Sequence, residues 1–157
     1  FEKSGHYFLA EPIGRGYECG LRVAVEICKF MDRNPEMSMS DLRRALPTTY
    51  ATPTMSPYCA DTEKYATLDR IVAKLVAKAK AGDSMAGRAI KEVVTVNGAR
   101  VILDNGGWGL VRASSNTPNL VVVCESPESD AEMRAIFAEI DAVIRTEPTV
   151  GDYDQTF

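Results

Sequence analysis

The chain has a single histidine, His6, and four cysteines with no Cys-x-x-Cys pair among them. Zinc sites draw on clustered cysteine and histidine, so Cys19, Cys28, Cys59 and Cys124 read as reduced, mostly buried thiols and not as metal ligands. That usage suits a cytoplasmic setting. Long hydrophobic runs are also missing. No apolar stretch approaches the ~20 residues of a membrane span, and no signal-peptide pattern opens the chain. Positive charge is not in excess: 18 Lys and Arg against 22 Asp and Glu give a formal net charge of −4. This argues against nucleic acid or an anionic membrane as the main partner. It does not argue against a phosphorylated small molecule, for which one local arginine counts more than the total. What the chain does have is 157 residues, 45% of them hydrophobic, enough for one good core and part of another.

The periodicity gives the organisation. Residues 1–16 read as a glycine-rich loop with a strand-like centre, and residues 17–33 as a helix. Leu21, Ala24, Val25, Cys28 and Met31 mark its apolar face, and Val23, Ile27 and Phe30 widen it. Such a broad arc calls for burial on several sides. Ser38 or Ser40 can cap a short helix that Pro47 closes. Residues 47–60, with Pro47, Pro53 and Pro57, read as a linker that becomes strand-like near Tyr58-Cys59, between a first unit at 1–46 and a second at 61–157.

In the second unit, Asp61 or Thr62 can cap a helix carrying Leu68, Ile71, Val72, Leu75, Val76 and Ala79 at helical spacing, with Gly82 as its stop. Strands follow at 91–97 and 99–104, joined tightly at Asn97-Gly98. Two more start at Trp108 and at Leu120. Ser129 and Glu132 form a capping box for a last helix with Met133, Ile136, Phe137, Ile140, Val143 and Ile144 on one face. The order helix, four strands, helix predicts an α+β domain: a four-stranded antiparallel sheet with two helices packed on one face. Residues 147–157 read as a loosely held polar tail.

One segment points to chemistry. Trp108-Gly-Leu-Val-Arg112-Ala-Ser114-Ser115-Asn116-Thr117-Pro118 delivers an arginine to a turn made of hydroxyl and amide side chains. A guanidinium is a planar fork of donors suited to gripping phosphate, and the turn's backbone N–H groups can converge on the same anion. An ordinary polar hairpin turn with an arginine at its edge is the alternative on these residues alone.

The segment resembles the phosphate-binding loop of the α-D-phosphohexomutases, and Glu2-Lys3-Ser4-Gly5-His6 resembles that family's Glu-x-Ser-Gly-His sugar-binding loop. The resemblance extends to about residue 146 and is closest to the phosphomannomutase/phosphoglucomutase branch. It implies a C-terminal piece of a longer enzyme: the end of an α/β third domain, present as a loop and helix, followed by the fourth domain. It implies that Glu2 and Ser4 bind sugar hydroxyls, with His6 nearby as an acid/base group, an orienting group or a packing residue. Arg112, Ser114, Ser115, Asn116 and Thr117 would hold the phosphate that is not being transferred. Here the asparagine and threonine come one place later than in the usual family loop. Trp108 reads as a sheet-packing residue, and Arg15 and Glu18 as surface ion-pair formers or orienting groups. The implied reaction interconverts hexose 1-phosphate and 6-phosphate through a hexose 1,6-bisphosphate. Its phosphoserine and magnesium belong to upstream domains, so the piece is expected to be inactive alone. A phosphoglucosamine mutase, or a non-catalytic phosphosugar-binding module, are the other readings.

Overall fold

The computed structural model describes residues 5–157, which divide into two compact units meeting in sequence at Pro47 and Thr48. In the first unit Phe8 and Glu18 form an antiparallel bridge. Helix α1 (Gly20–Arg33) and the short helix α2 (Met39–Ala45) follow. The capping serine of α2 is Ser38: its hydroxyl accepts from Asp41 N at 3.2 Å, and Asp41 Oδ2 accepts from Ser38 N at 2.8 Å. The broad apolar arc of α1 does not find the burial its sequence calls for. No residue of α1 is buried, and Leu21, Val25, Ile27 and Phe30 are exposed.

The second unit is an antiparallel sheet with helices, and it has six strands where the periodicity predicts four. They are β1 (Tyr50–Ala51), β2 (Ser84–Met85), β3 (Arg88–Val94), β4 (Ala99–Leu103), β5 (Trp108–Ala113) and β6 (Leu120–Ser126), in the spatial order β1-β6-β5-β4-β3-β2. The two additional strands, β1 and β2, are the edges. Each is two residues long, too short to show an alternation. Part of the stretch expected as a linker is therefore sheet: β1 pairs with β6, Met55 bridges Val122 and Tyr58 bridges Asn119. Prolines are tolerated there because an edge strand has one unpaired side.

The four central strands are the expected ones with shifted ends. β3 starts at Arg88, not at residue 91, and stops at Val94, so residues 95–98 form the connection to β4. A register shift between Ile90 and Glu92 marks a bulge in β3. Burial alternates along β4, β5 and β6, the mark of a sheet with one covered face. Helices α3 (Lys64–Lys80) and α4 (Asp130–Ile144) supply the cover. Leu68, Ile71 and Leu75 of α3 and Ile136, Ile140 and Ile144 of α4 join Val101, Leu103, Val111, Leu120 and Val122 in one buried cluster.

Both helix starts differ in detail from expectation. The N-cap position of α3 is Glu63, without a side-chain cap; Asp61 instead takes the Lys64 ammonium at 2.6 Å. Ser129 does cap α4 through Glu132 N at 3.1 Å, but the box is not reciprocal. The Glu132 carboxylate is held by Arg88, Asn105 and Ser126. Burial there raises its pKa, and those three hydrogen bonds outweigh the burial and hold it below the ordinary carboxylate range.

The tail is not loose. Tyr153 and Phe157 pack on Phe137 with ring centroids 5.5 and 4.9 Å away. Tyr153 Oη donates to Asp141 at 2.8 Å, Gly151 N donates to Tyr58 O at 2.8 Å, and Ser56 N donates to Asp154 at 2.8 Å. Two aromatic side chains supply apolar area that an apparently polar sequence hides.

Glu147, at the start of this segment, is 4% exposed and sits between Lys74 at 2.5 Å and Arg70 at 2.7 Å. The hydrogen bonds from Lys74 and Arg70 hold its carboxyl below the usual range. A depressed folded-state pKa means stability that is present above the unfolded carboxylate value and lost as pH falls through the folded one. Glu147→Gln should cost about 1–3 kcal/mol at neutral pH, toward the low end because both cations are half-exposed and screened. Thermal melts should show that difference shrinking below about pH 4. A difference that persists undiminished at pH 3 would show that the charge is not what Glu147 contributes.

Candidate functional site

β5 and β6 pair as far as Ala113 and Leu120, and residues 114–119 close the hairpin. Alternation along β5 sends Val111 and Ala113 into the core and leaves Arg112 on the other face, half-buried. Its guanidinium makes one hydrogen bond, from Nη1 to Ala113 O at 3.1 Å, and among the described residues it has no acidic partner. Other arginines of this unit do: Arg70, Arg88, Arg134 and Arg145 are each ion-paired. Most of the Arg112 donor fork is thus available to an external anion.

Ser114 organises the loop beside it. Its N–H donates to Asn119 O at 3.0 Å. Its hydroxyl oxygen accepts from Asn116 N at 3.3 Å, Thr117 N at 3.2 Å and Thr117 Oγ1 at 2.9 Å. The three contacts share the two acceptor positions of that oxygen and fold the loop around it. The backbone N–H groups of Asn116 and Thr117 are therefore turned in toward Ser114, not out toward an anion as a simple nest would have them. Ser115 Oγ donates to Asn116 Oδ1 at 3.3 Å, and Ser115, Asn116 and Thr117 are all exposed.

Two residues support this region in ways the local sequence does not show. Lys64, 4% exposed, donates from Nζ to Ser114 O at 2.6 Å and to Thr117 O at 3.1 Å. Gly98, at φ +101°, lies so close to β5 that a Cβ there would stand 2.2 Å from Val111 O and 2.9 Å from Arg112 Cα. Both partners are distant in the chain. Trp108 packs on the sheet with the Arg100 guanidinium over its ring at 4.2 Å, a sheet-packing role.

In the first unit, Glu2 and Ser4 lie outside the described residues. His6 Nδ1 donates to Glu18 Oε1, both side chains being about half-exposed; the carboxylate can only accept. Glu18 therefore orients the imidazole. Arg15 lines a cavity of about 550 Å³ with Tyr7, Pro12, Tyr17 and Arg22. Gly14 lets the chain turn beside it, since a Cβ there would fall 2.2 Å from Leu9 O.

All four cysteines are free; Cys59 and Cys124 are buried, Cys19 is half-buried and Cys28 is exposed. Burial pushes the Cys59 thiol up and Cys124 up to about 12, so both are protonated packing groups and not nucleophiles. Among the described residues no helix is long and apolar enough to cross a membrane.

Comparison with known proteins places this architecture. Residues 59–143 match the family described as Phosphoglucomutase/phosphomannomutase, C-terminal domain. A phosphomannomutase/phosphoglucomutase of Pseudomonas putida is 34% identical over 135 residues, covering 86% of this chain and 26% of that protein. One from Pseudomonas syringae pv. tomato is 32% identical over the same length and shares of each chain. The crystal structure of a phosphoglucomutase/phosphomannomutase family protein from Burkholderia thailandensis superposes with a TM-score of 0.62 at 26% identity, covering 94% of this chain and 28% of that one. The chain spans about a quarter of the length of the curated relatives it matches. With an α+β unit whose sheet carries the Arg112 loop, and with these matches, the chain belongs to the phosphoglucomutase/phosphomannomutase family and corresponds to its C-terminal part.

Proposed function

We propose that this chain is the sugar- and phosphate-holding end of an enzyme that interconverts hexose 1-phosphate and hexose 6-phosphate, of mannose or glucose, through a hexose 1,6-bisphosphate. The observation that carries this reading is the Arg112 guanidinium, free of acidic partners among the described residues, beside a hydroxyl loop folded around Ser114. Arg112 and Ser114, with exposed Ser115, Asn116 and Thr117 at the rim, hold the phosphate that is not being transferred. Glu2 and Ser4 bind hydroxyls of the ring, and His6, oriented by Glu18, stands with them.

The two loops belong to one task. A phosphoserine elsewhere in the enzyme donates its phosphoryl group to one end of the sugar, and the bisphosphate must turn over before its other phosphate returns to the serine. Fixed groups therefore hold one sugar in two opposite orientations. Positioning and electrostatic stabilisation are the main resources of phosphoryl transfer, and this chain supplies the positioning. The magnesium that neutralises the transferred group goes with the phosphoserine; among the described residues no three His, Cys, Asp or Glu side chains stand together to hold a metal. We assign it to another domain. The four free cysteines support work in the cytoplasm.

The test is to mix the chain with glucose 1-phosphate, magnesium and a trace of the 1,6-bisphosphate. The expected result is saturable shifts of the amide signals of residues 112–117 with no glucose 6-phosphate formed. Turnover above a mock preparation would overturn the division of labour. Signals that stay in place at high millimolar ligand would overturn the phosphate grip itself.

A further inference from the structure

Lys64 is an unusual residue to find buried beside an exposed loop. Lysine is almost never fully buried unless paired, and here its ammonium meets three acceptors. They are Ser114 O at 2.6 Å, Thr117 O at 3.1 Å and Asp61 Oδ1 at 2.6 Å. Asp61 balances the charge, so little of it is left to attract an anion at a distance. The geometric effect is larger. Lys64 opens α3 and is anchored there by its own backbone bond to Ala60 O at 2.8 Å, so its ammonium is a fixed point for the loop.

A trans peptide is planar, and its C=O and N–H point in opposite directions. Holding Ser114 O inward on Lys64 therefore turns the N–H of Ser115 outward, on the exposed side of the loop. Among the described residues that N–H has no hydrogen-bond partner. The Thr117 carbonyl, held by Lys64 and by Asn119 N at 2.8 Å, ties down the other end.

We propose that Lys64 is the positioning residue of the phosphate loop: by clamping the carbonyls of Ser114 and Thr117 it fixes the loop in the form that offers Ser115 N–H and Ser114 Oγ beside Arg112. This rests on the reading of that loop as a phosphate site. Lys64 touches no phosphate and acts only through the backbone it holds.

The experiment is an NMR titration of the 157-residue chain with inorganic phosphate, in wild type and Lys64→Met. Methionine keeps the apolar stem and removes the three donors, and the freed carbonyls reach water. In wild type, the Ser115 amide should move downfield together with the Arg112 side-chain signals. In Lys64→Met, with core signals of α3 and β5 in place, the Ser115 shift should be lost and affinity should fall roughly tenfold. A variant that melts earlier yet binds phosphate with unchanged affinity and an unchanged Ser115 shift shows a structural lysine and overturns the proposal. If the variant does not fold, wild type alone decides: Arg112 signals that respond while the Ser115 amide stays still overturn it. No response of either group in wild type would reject the phosphate-site reading, and this inference with it.

Discussion

Arg112→Ala should weaken binding of glucose 1-phosphate by roughly tenfold to a hundredfold, the loss of about 1.5–3 kcal/mol that a charge-assisted contact carries. The expectation comes from how little else the guanidinium does. Among the described residues it makes a single hydrogen bond, to its neighbour's carbonyl, and no ion pair, so truncation removes the donor fork without breaking an internal network. Stability should hardly change for the same reason. Arg112→Lys should recover only part of the affinity, because an ammonium keeps the charge and loses the planar pair of donors. Arg100→Ala is the control. It removes the same charge from the adjacent strand β4, but that guanidinium lies over Trp108, so binding should stay close to wild type. Titration calorimetry would separate these cases. Equal losses in Arg100→Ala and Arg112→Ala would mean that net charge, and not a built grip, attracts the phosphate.

The largest stability effect should come from Gly98→Ala, a change of one methyl group. Two costs add. The backbone at φ +101° is in a region that side chains rarely adopt, and the new Cβ would meet Val111 O at 2.2 Å and Arg112 Cβ at 3.0 Å. Backbone strain and overpacking each cost about 1–3 kcal/mol, so a loss of about 3 kcal/mol or more is expected. For a unit of this size that lowers Tm by roughly 10 °C or more. The atoms that must give way belong to β5 at Val111 and Arg112, so phosphate binding should fall as well, even at temperatures where the variant is folded. A melt within a degree or two of wild type would show that the connection at residues 95–98 does not press on β5.

Gly98 also shows how sequence and structure divide the explanation. Asn97-Gly98 announces a hairpin, and a hairpin is there, but not as a two-residue turn: residues 95–98 connect the strands. Glycine is required by the close approach of β5, a strand whose position the local sequence does not encode. The helices behave differently. Leu68, Ile71 and Leu75, and Ile136, Ile140 and Ile144, were readable as core positions and are buried, because a 3.6-residue spacing reports directly which side of a helix avoids water. The strands were readable as short apolar runs between turns, but continuous runs such as Leu120-Val-Val-Val-Cys124 do not show a facing, and that Val101, Leu103, Val111, Leu120 and Val122 point inward is a finding of the structure.

The misses have a common cause. The two-residue edge strands carry no period, the aromatic anchors Tyr153 and Phe157 stand among polar residues, and Asp61 and Glu132 look like helix-capping groups until Lys64 and Arg88 claim them. Each depends on a partner elsewhere in the chain. The candidate site divides along the same line. Arg112 and the hydroxyl residues after it stand out by type and adjacency, whereas the form of their loop is set by Lys64, which lies 50 residues away from Ser114. By itself the sequence determined the helices, the four central strands, the packing of two helices on one face of the sheet and the make-up of the candidate loop at 112–117, because those follow from short-range periodicity and side-chain chemistry. Only the tertiary structure decided the sheet's edges, the docking of the last segment and the set of the loop. Those turn on which distant donors, acceptors and apolar surfaces come within a few ångströms, and no local pattern carries that information.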